Sequence, residues 1–480
     1  MDSEHQAYPD QVRVEPRGDG SGFSNIPGII HDFIHYNHAM QSDLAALLRD
    51  RLSHDELELL LAVARQAAAL GMPAYVVGGA LRDAVLGGPI ADLDFLVEGD
   101  AIALARSLRS EFGGHVIVHS RFGTAQWTLA GARIFSGGDH RVKPRKAPPD
   151  HIDLISSRSE EYPGTAELPR VSPSAIDDDL RRRDFTINTL AVRLDGSHFG
   201  DVYDPFGALK DLDQGIIRVL HPASFRDDPT RLYRAVRYEE RYGFMIESTT
   251  LALMRRSRSK VRRLSAHRIR RELELILDEE QYLGMLRRLS RLGLLGAIHP
   301  ALPSSAATLR RLRRAEAARP DGLDLRHNSD LRWLVWLIEL STAQLRSLDR
   351  RLQFSRRLRE SLLAAATIAR QSARWRAWPA SRLTLYLDRF PVLAVQAARL
   401  SAPRGRAQSL LAQYLAHWRA VRPTVTSKEL SELGLAPGPA FRQILDRLRE
   451  GWLDGKIASS AQEREQLGRL IRRYAGHTRS

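Results

Sequence analysis

The chain has 480 residues, which exceeds one compact core and predicts about two to four domains. Its 72 Lys and Arg against 57 Asp and Glu leave a formal charge of +15, which favours a polyanionic partner. The absence of cysteine from the sequence excludes disulfides, thiolate zinc sites and thiol catalysis. No apolar run could span a bilayer, and the first residues lack signal-peptide features, so we expect a cytoplasmic protein without a membrane partner.

The pattern of residues changes along the chain. Residues 1–25 are polar and aperiodic, which predicts a disordered tail, and residues 26–70 carry leucines at helical spacing, which predicts a helical extension. Residues 71–205 mix short strands such as AYVVGG and HIDLIS with helices such as ALRDAVLGG, and hold a basic, Pro/Gly-rich loop at 136–150. From residue 206 onward the pattern is almost wholly helical. An α+β fold follows, with a mixed sheet first and helices after it.

The first group of residues with a chemical pattern is Gly78, Gly79, Arg82 and Asp83, followed by an Asp-x-Asp pair. Glycines at a strand end let the backbone approach a phosphate, the helix that follows directs free N–H groups at it, and Arg82 adds positive charge. These four residues are therefore predicted to bind the nucleotide.

The Asp-x-Asp pair consists of Asp92 and Asp94. On a strand, residues two apart leave the same face, and two adjacent carboxylates need a cation between them. Mg²⁺ prefers such oxygen ligands, and paired ions can activate a hydroxyl and hold a triphosphate. The competing interpretation is a polar edge strand, and the preceding GGxxRD pattern favours the metal site.

A later segment, FRDDPTRLYRAVRY, holds Asp228 and Arg231 at a spacing of three, on one face of a predicted helix that would begin at Pro229. A carboxylate beside a guanidinium matches the amino donor and ring-nitrogen acceptor of cytosine and adenine. Uracil and guanine present the reverse order, so the wrong base would leave polar groups unpaired. The simpler interpretation is an aspartate helix cap followed by proline.

The segments VVGGALRDAVLGGPIADLDF and DDDLRRRDFTINTLAV resemble two signatures of the tRNA nucleotidyltransferase and bacterial poly(A) polymerase family, of the class II CCA-adding type. FRDDPTRLYRAVRY resembles the family's base-reading motif, with Asp227 where a glutamate is usual. The resemblance implies a polymerase-β-like nucleotidyltransferase head with a mixed sheet, followed by an all-α neck, body and tail. The implied division is a head at 71–205, a neck with the base-reading helix at 206–280, a body at 281–400 and a tRNA-binding tail at 401–480.

The resemblance also implies roles for residues of the second signature. Asp184 would accept a hydrogen bond from the ribose 2′-hydroxyl, Arg182 or Arg183 would meet phosphate, and Asn188 would order the turn or the sugar. HIDLISSR resembles the strand that supplies a third acidic metal ligand, Asp153.

In the base-reading motif, the implied nucleotide-binding residues are Asp228, Arg231, Arg234 and Arg237. SAHRIRREL resembles the neck motif whose Arg and Glu, here Arg268 and Glu272, brace the base-reading helix.

The resulting expectation is an enzyme that adds C and/or A from CTP and ATP to the 3′ end of tRNA, using two Mg²⁺ ions and releasing pyrophosphate. Complete CCA addition is the first hypothesis, with A-only or CC-only addition next and poly(A) synthesis after them. From other classes, a non-catalytic RNA-binding protein would have lost a metal carboxylate, and an HD-type phosphohydrolase lacks a clear partner for its HD pair. HDFIHYNHAM could hold a metal on His31, His35 and His38, although a polar helix face explains it better.

Overall fold

The computed structural model describes residues 51–90, 93–134, 150–167, 169–318, 328–435 and 437–475. The described chain divides into two compact units. The first unit holds the described part of 1–159 together with 172–214, and the second holds 160–171 and 215–480. The histidines of HDFIHYNHAM, Asp92 and residues 136–149 of the basic loop lie outside the described residues.

The first unit is built on a seven-stranded mixed sheet. The helices and strands of this part of the chain, including the small β6–β7 sheet, are, in order, α1 His54–Ala69, β1 Ala74–Val77, α2 Gly79–Val85, β2 Asp94–Val97, α3 Ala101–Phe112, β3 Gly113–His119, β4 Thr124–Ala132, β5 His151–Ser156, β6 Arg158–Glu161, β7 Arg170–Pro173, α4 Ile176–Arg181, β8 Ala191–Arg193, β9 Val202–Tyr203 and α5 Ala208–Asp213. The large sheet has the strand order β3-β4-β5-β2-β1-β8-β9. Strands β2 and β5 are parallel, whereas β1 pairs antiparallel with both β2 and β8.

Alternation along the strands gives the sheet two different faces. Val77 of β1 and Leu96 of β2 pack with Ile176 and Leu180 of α4 in one core cluster. Because successive side chains of a strand point to opposite faces, Phe95 and Val97 belong to the other face. Both of these residues are fully buried. The sheet is therefore covered on both faces, as its near-continuous apolar strands require.

The second unit is mostly helical. Its elements are β10 Ile216–Ile217, α6 Ser224–Asp227, α7 Arg231–Tyr242, β11 Met245–Ile246, α8 Ser248–Ser257, α9 Ala266–Asp278, α10 Tyr282–Arg291, α11 Leu294–Ile298, α12 Ala306–Ala317, α13 Ser329–Leu337, α14 Thr342–Leu352, α15 Arg356–Gln371, α16 Ala380–Leu387, α17 Val392–Ser401, α18 Arg406–Ala416, α19 Ser427–Glu432, α20 Pro439–Leu453 and α21 Ser460–Ala475. A short parallel pair, β10–β11, interrupts the helices. The predicted α+β architecture, a mixed sheet followed by helices, is confirmed. The finer division into neck, body and tail stays a prediction.

Several helices of the second unit are held by polar side chains that reach buried backbone. Arg332 is 1% exposed, donates to the carbonyls of Leu277 and Glu279 at the end of α9, and lies over the Tyr282 ring. In the last helices, Glu463 is fully buried and accepts hydrogen bonds from the backbone of Thr424 and Val425. Such bonds satisfy backbone groups that would otherwise be buried without partners. No helix of the described chain is long and apolar enough to cross a membrane.

Candidate active site

Two carboxylates lie side by side on the central strands of the first unit. Asp94 begins β2 and is the register partner of Asp153 on the parallel strand β5. Paired residues on neighbouring strands share a face and lie about 5 Å apart. Gln126, on the adjoining strand β4, donates a 3.2 Å hydrogen bond to Asp153 Oδ1 and fixes that side chain.

The donor set of this face fits a hard divalent cation. Carboxylate oxygens are the ligands that Mg²⁺ prefers, and two acidic side chains at neighbouring register positions gain from a positive charge between them. Within the described residues there is no group of three or more acidic, His or Cys side chains that could hold a metal. Asp92, the first carboxylate of the predicted Asp-x-Asp pair, lies outside those residues.

The glycine pair forms a close turn from β1 into α2. Gly78 has φ +76°, in the left-handed region that favours glycine, and α2 begins at Gly79. A Cβ atom at Gly78 would lie 2.7 Å from the Nη1 atom of Arg183, so a side chain here would displace the end of that arginine. The first glycine is therefore favoured by the backbone conformation and leaves room for an arginine of the second signature.

A buried hydrogen-bond chain joins the two signatures. Arg82 is 5% exposed and donates from Nη1 to Asn188 Oδ1 at 2.6 Å, and Asn188 donates to Asp184 Oδ1 at 2.8 Å. Arg82 also forms two bonds with Asp83, at 2.9 and 3.1 Å. The structure therefore places the predicted charge of Arg82 inside the protein, where it orients Asn188. We call these three bonded side chains, Arg82, Asn188 and Asp184, the signature chain.

Asp179, a residue not predicted from the sequence, orients Arg182 and Arg183 of the second signature. This residue is fully buried in α4 and forms ion pairs with Arg182 and, at 3.3 Å, with Arg183. Arg182 also donates to the carbonyl of Arg158, and Arg183 donates to the carbonyl of Asn188. The i, i+3 and i, i+4 spacing from Asp179 to these arginines was the signal available in the sequence.

In the second unit, Asp228 stands before α7 and does not lie on it. The backbone of Asp228 is extended, with φ −131°, and the helix begins at Arg231. The prediction of a helix from Pro229 that carries Asp228 and Arg231 on one face was therefore wrong. The reason is a local turn, in which the Asp228 side chain accepts from the backbone and hydroxyl of Thr230 at 2.9 and 2.7 Å.

The three donors that reach Asp228 converge on one of its oxygens. Arg268 Nη2 donates to Oδ1 at 2.6 Å, the atom that also accepts from Thr230. In the described part of the chain no hydrogen bond to Oδ2 is found. Arg231, 6% exposed, donates to the hydroxyl of Ser224 at 2.6 Å. Asp228 is thus fixed from one side with a second oxygen left to accept a donor.

The other predicted cations of α7 have structural partners. Arg237 is 7% exposed and pairs with Glu272 of α9 at 3.4 Å and with Glu279 at 3.8 Å. Arg234 donates to the Tyr238 hydroxyl at 3.0 Å. Arg268 and Glu272 of α9 therefore contact the base-reading motif at two points, Arg268 at Asp228 before α7 and Glu272 at Arg237 within α7.

Tyr162 is a further residue of this cluster that the sequence analysis missed. Burial, and then the nearby charge of Glu160, raises the pKa of its hydroxyl, which donates to Glu160 at 2.7 Å. The charges of Arg231 and Asp228 also act on this hydroxyl.

The chain matches two family models, "Poly A polymerase head domain" over residues 74–218 and "Probable RNA and SrmB-binding site of polymerase A" over residues 243–305.

Two relatives and one solved structure are similar over most of this chain. An A-adding tRNA nucleotidyltransferase of Geobacter sulfurreducens is 33% identical over 96% of this chain, which spans only 51% of that relative. An A-adding tRNA nucleotidyltransferase of Halalkalibacterium halodurans is 30% identical over 84% of this chain and 90% of its own length. A Thermotoga maritima CCA-adding enzyme complexed with tRNA is 26% identical, with a TM-score of 0.70 over 89% of this chain and 98% of that one.

Proposed function

This chain belongs to the tRNA nucleotidyltransferase and poly(A) polymerase family, and on that premise we propose that it adds C and/or A residues to the 3′ end of tRNA. The substrates would be CTP or ATP and a tRNA whose 3′ end is incomplete. The observation that carries the proposal is the pairing of Asp94 with Asp153 on β2 and β5, in the same unit as the signature chain.

The residues of the first unit fit nucleotidyl transfer. In this reaction the 3′-oxygen of the RNA attacks the α-phosphorus, the bond to the bridging oxygen breaks and pyrophosphate leaves. Asp94 and Asp153, with Asp92, would hold Mg²⁺, which supplies activation of the hydroxyl and neutralises phosphate charge. Gly78 and Gly79 would let the backbone at the start of α2 approach the triphosphate, and Arg182 and Arg183 would add positive charge held in place by Asp179.

The signature chain supports selection of ribonucleotides. Asp184 is 8% exposed and is oriented by bonds from Asn188 and from the Phe185 N–H group. A buried carboxylate held in this way is suited to accept a bond from the 2′-hydroxyl of the incoming ribose, a group that a deoxynucleotide lacks.

Base selection is assigned to Asp228 and Arg231 of the second unit. Oδ2 of Asp228 can accept the amino group that cytosine and adenine share, and Arg231 can donate to the neighbouring ring nitrogen. Uracil and guanine offer a carbonyl and an N–H at these positions, which would leave buried groups unpaired at a cost of about 1–3 kcal/mol each. The choice of C and A then needs no template.

Addition of A alone is the first candidate, because the two relatives named above are A-adding enzymes aligned over most of this chain. Complete CCA addition is the second candidate, because the chain also shares its fold with a CCA-adding enzyme at 26% identity over 98% of that structure. The family relation to poly(A) polymerases gives a third outcome of the test. We further propose a cytoplasmic location, where precursor tRNA would be available.

The test uses three transcripts of one tRNA, ending before CCA, after C and after CC. Each is incubated with CTP, ATP or both, and product lengths are read on a sequencing gel. An A-adding enzyme extends only the CC-ended transcript, by one residue, whereas a CCA-adding enzyme completes all three. Long homopolymer tails would identify a poly(A) polymerase, and no extension of any transcript would overturn the proposal.

A further inference from the structure

An apolar groove of about 510 Å³ runs along α1 on the first unit. Its apolar lining comes from Leu61, Ala64, Phe112, Ile134, Leu194 and Phe199. Leu61, at the middle of α1, is 41% exposed and contributes open apolar surface to this groove. Polar residues Glu58 and Arg65 of the same helix border the groove.

This groove is separate from the candidate active site. Phe112 packs on Trp127, with 6.2 Å between the ring centroids. Trp127 follows Gln126 on β4, and Gln126 is the register partner of Asp153. Because side chains alternate, Trp127 and Phe112 lie on the sheet face opposite to Asp153 and Asp94. A ligand in the groove would therefore not contact the carboxylates.

The sequence that precedes α1 contains a matching apolar stripe. Residues 26–41 read IPGIIHDFIHYNHAMQ, and the apolar side chains Ile26, Ile29, Ile30, Phe33 and Ile34 recur at helical spacing. A helix of 16 residues is about 24 Å long, and α1 also has 16 residues. Twelve residues, 42–53, connect the stripe to α1, and extended they could span roughly 40 Å. The stripe therefore has the length and the reach to lie along α1.

We propose that residues 26–41 bind as an amphipathic helix in the groove along α1, with Phe33 near Leu61. An apolar helical stripe without a covering surface is unfavourable in water, and the groove has exposed apolar surface on the same part of the chain. Phe33 is near the middle of the stripe and Leu61 near the middle of α1, so the two approach each other whichever way the helix runs. Docking would complete the apolar core of the first unit on the face away from the reaction.

Site-specific crosslinking tests this proposal in the full chain, which has no cysteine of its own. The variant carrying Phe33→Cys and Leu61→Cys is treated with a short bismaleimide. Two matched controls combine His35→Cys with Leu61→Cys, on the opposite side of the stripe, and Phe33→Cys with Ile117→Cys, at the exposed edge strand β3. We expect an intramolecular crosslink, independent of protein concentration, that forms at least about tenfold faster than in either control.

A second measurement does not depend on crosslink geometry. The rate of maleimide labelling at Leu61→Cys is compared with and without Phe33→Asp, with His35→Asp as the control substitution. Docking predicts that Phe33→Asp raises the labelling rate about tenfold, which corresponds to ~1.4 kcal/mol, and that His35→Asp leaves it unchanged. Equal rates in all three proteins would overturn the proposal. A crosslink found only between two chains would also overturn it, in favour of a second copy in the groove.

Discussion

Arg82 Nη1 donates a 2.6 Å hydrogen bond to Asn188 Oδ1, across 106 positions of sequence and inside the first unit. This hydrogen bond joins α2, the helix that follows the glycine turn, to the segment of the second signature that contains Asn188. Asn188 in turn orients Asp184, so a single buried side chain links the phosphate-facing turn to the carboxylate assigned to the ribose.

Asn188→Ala should therefore weaken both folding and substrate binding. The substitution removes one acceptor of the buried Arg82 guanidinium, which keeps its bonds to Asp83, at a cost of about 1–3 kcal/mol in the free energy of unfolding. Loss of orientation at Asp184 should also reduce discrimination between ATP and dATP. Urea unfolding and the ratio of kcat/KM for the two nucleotides measure these effects. Ser197→Ala, an exposed change in the same unit, is the control, and an unchanged ribose preference would refute the linkage.

Asp94→Asn and Asp153→Asn should each strongly slow incorporation while tRNA binding is retained. Each removes a charge from the paired carboxylates, and loss of about 3 kcal/mol of transition-state stabilisation slows the reaction by about a hundredfold or more. Single-turnover extension and filter binding of tRNA separate the two quantities. Asp178→Asn, an exposed carboxylate of α4, is the control. Wild-type rates in both variants would remove these residues from the catalytic assignment.

Asp228→Ala should relax the choice of nucleotide more than it weakens tRNA binding. Without the carboxylate, the amino group of cytosine or adenine loses its acceptor, so preference over UTP and GTP should fall by at least about tenfold. The measurement is kcat/KM for each of the four nucleotides on one transcript. If the ratio of kcat/KM for CTP and ATP over UTP and GTP is unchanged in this variant, Asp228 does not select the base.

Arg268→Met should act in the same direction but less strongly. The side chain of Arg268 fixes Oδ1 of Asp228 at 2.6 Å and also reaches the carbonyl of Ala166. Its removal frees the carboxylate to rotate while leaving both base-reading residues in place. Selectivity should fall between the wild-type value and that of Asp228→Ala, with His267→Ala as the exposed control on the same helix. A larger loss than in Asp228→Ala would indicate that Arg268 itself contacts substrate.

Glu463→Gln should loosen the last helices in a pH-dependent way. Burial alone raises the pKa of Glu463, but bonds from the Val425 and Thr424 N–H groups, the Thr424 hydroxyl and the Trp452 ring outweigh it, and the pKa is lowered. A lowered folded-state pKa gives stability that is present above the unfolded pKa, about 4.3, and is lost as the pH falls through the folded value.

Hydrogen exchange at the Thr424 and Val425 amides measures this contribution. Exchange in Glu463→Gln should be faster than in the wild type at pH 7, and the difference should shrink toward low pH as the wild-type carboxyl is protonated. Glu465→Gln, at a side chain that is 66% exposed, is the control. A difference that stays constant with pH would show that the charge of Glu463 is not what stabilises this region.

Local patterns in the sequence were sufficient for the architecture and for most of the candidate residues. Strand alternation and the glycine turn predicted β1, α2 and β5 where they occur. These features depend on interactions between residues a few positions apart, so the local sequence pattern is enough to predict them. The start of α7 was predicted incorrectly, because a side-chain turn at Asp228 competes with the helix.

The sequence by itself determined the family signatures, the α+β order of elements and the chemical types available for catalysis. Only the tertiary structure decided that Asp94 and Asp153 are register partners. It also decided that the buried Arg82 donates a hydrogen bond to Asn188, and that Asp179 forms ion pairs with two arginines of the second signature. Register between distant strands and the partner of a buried cation depend on which segments pack together. That choice is set by the burial of the whole core and by the need to satisfy each buried polar group, which no local pattern records.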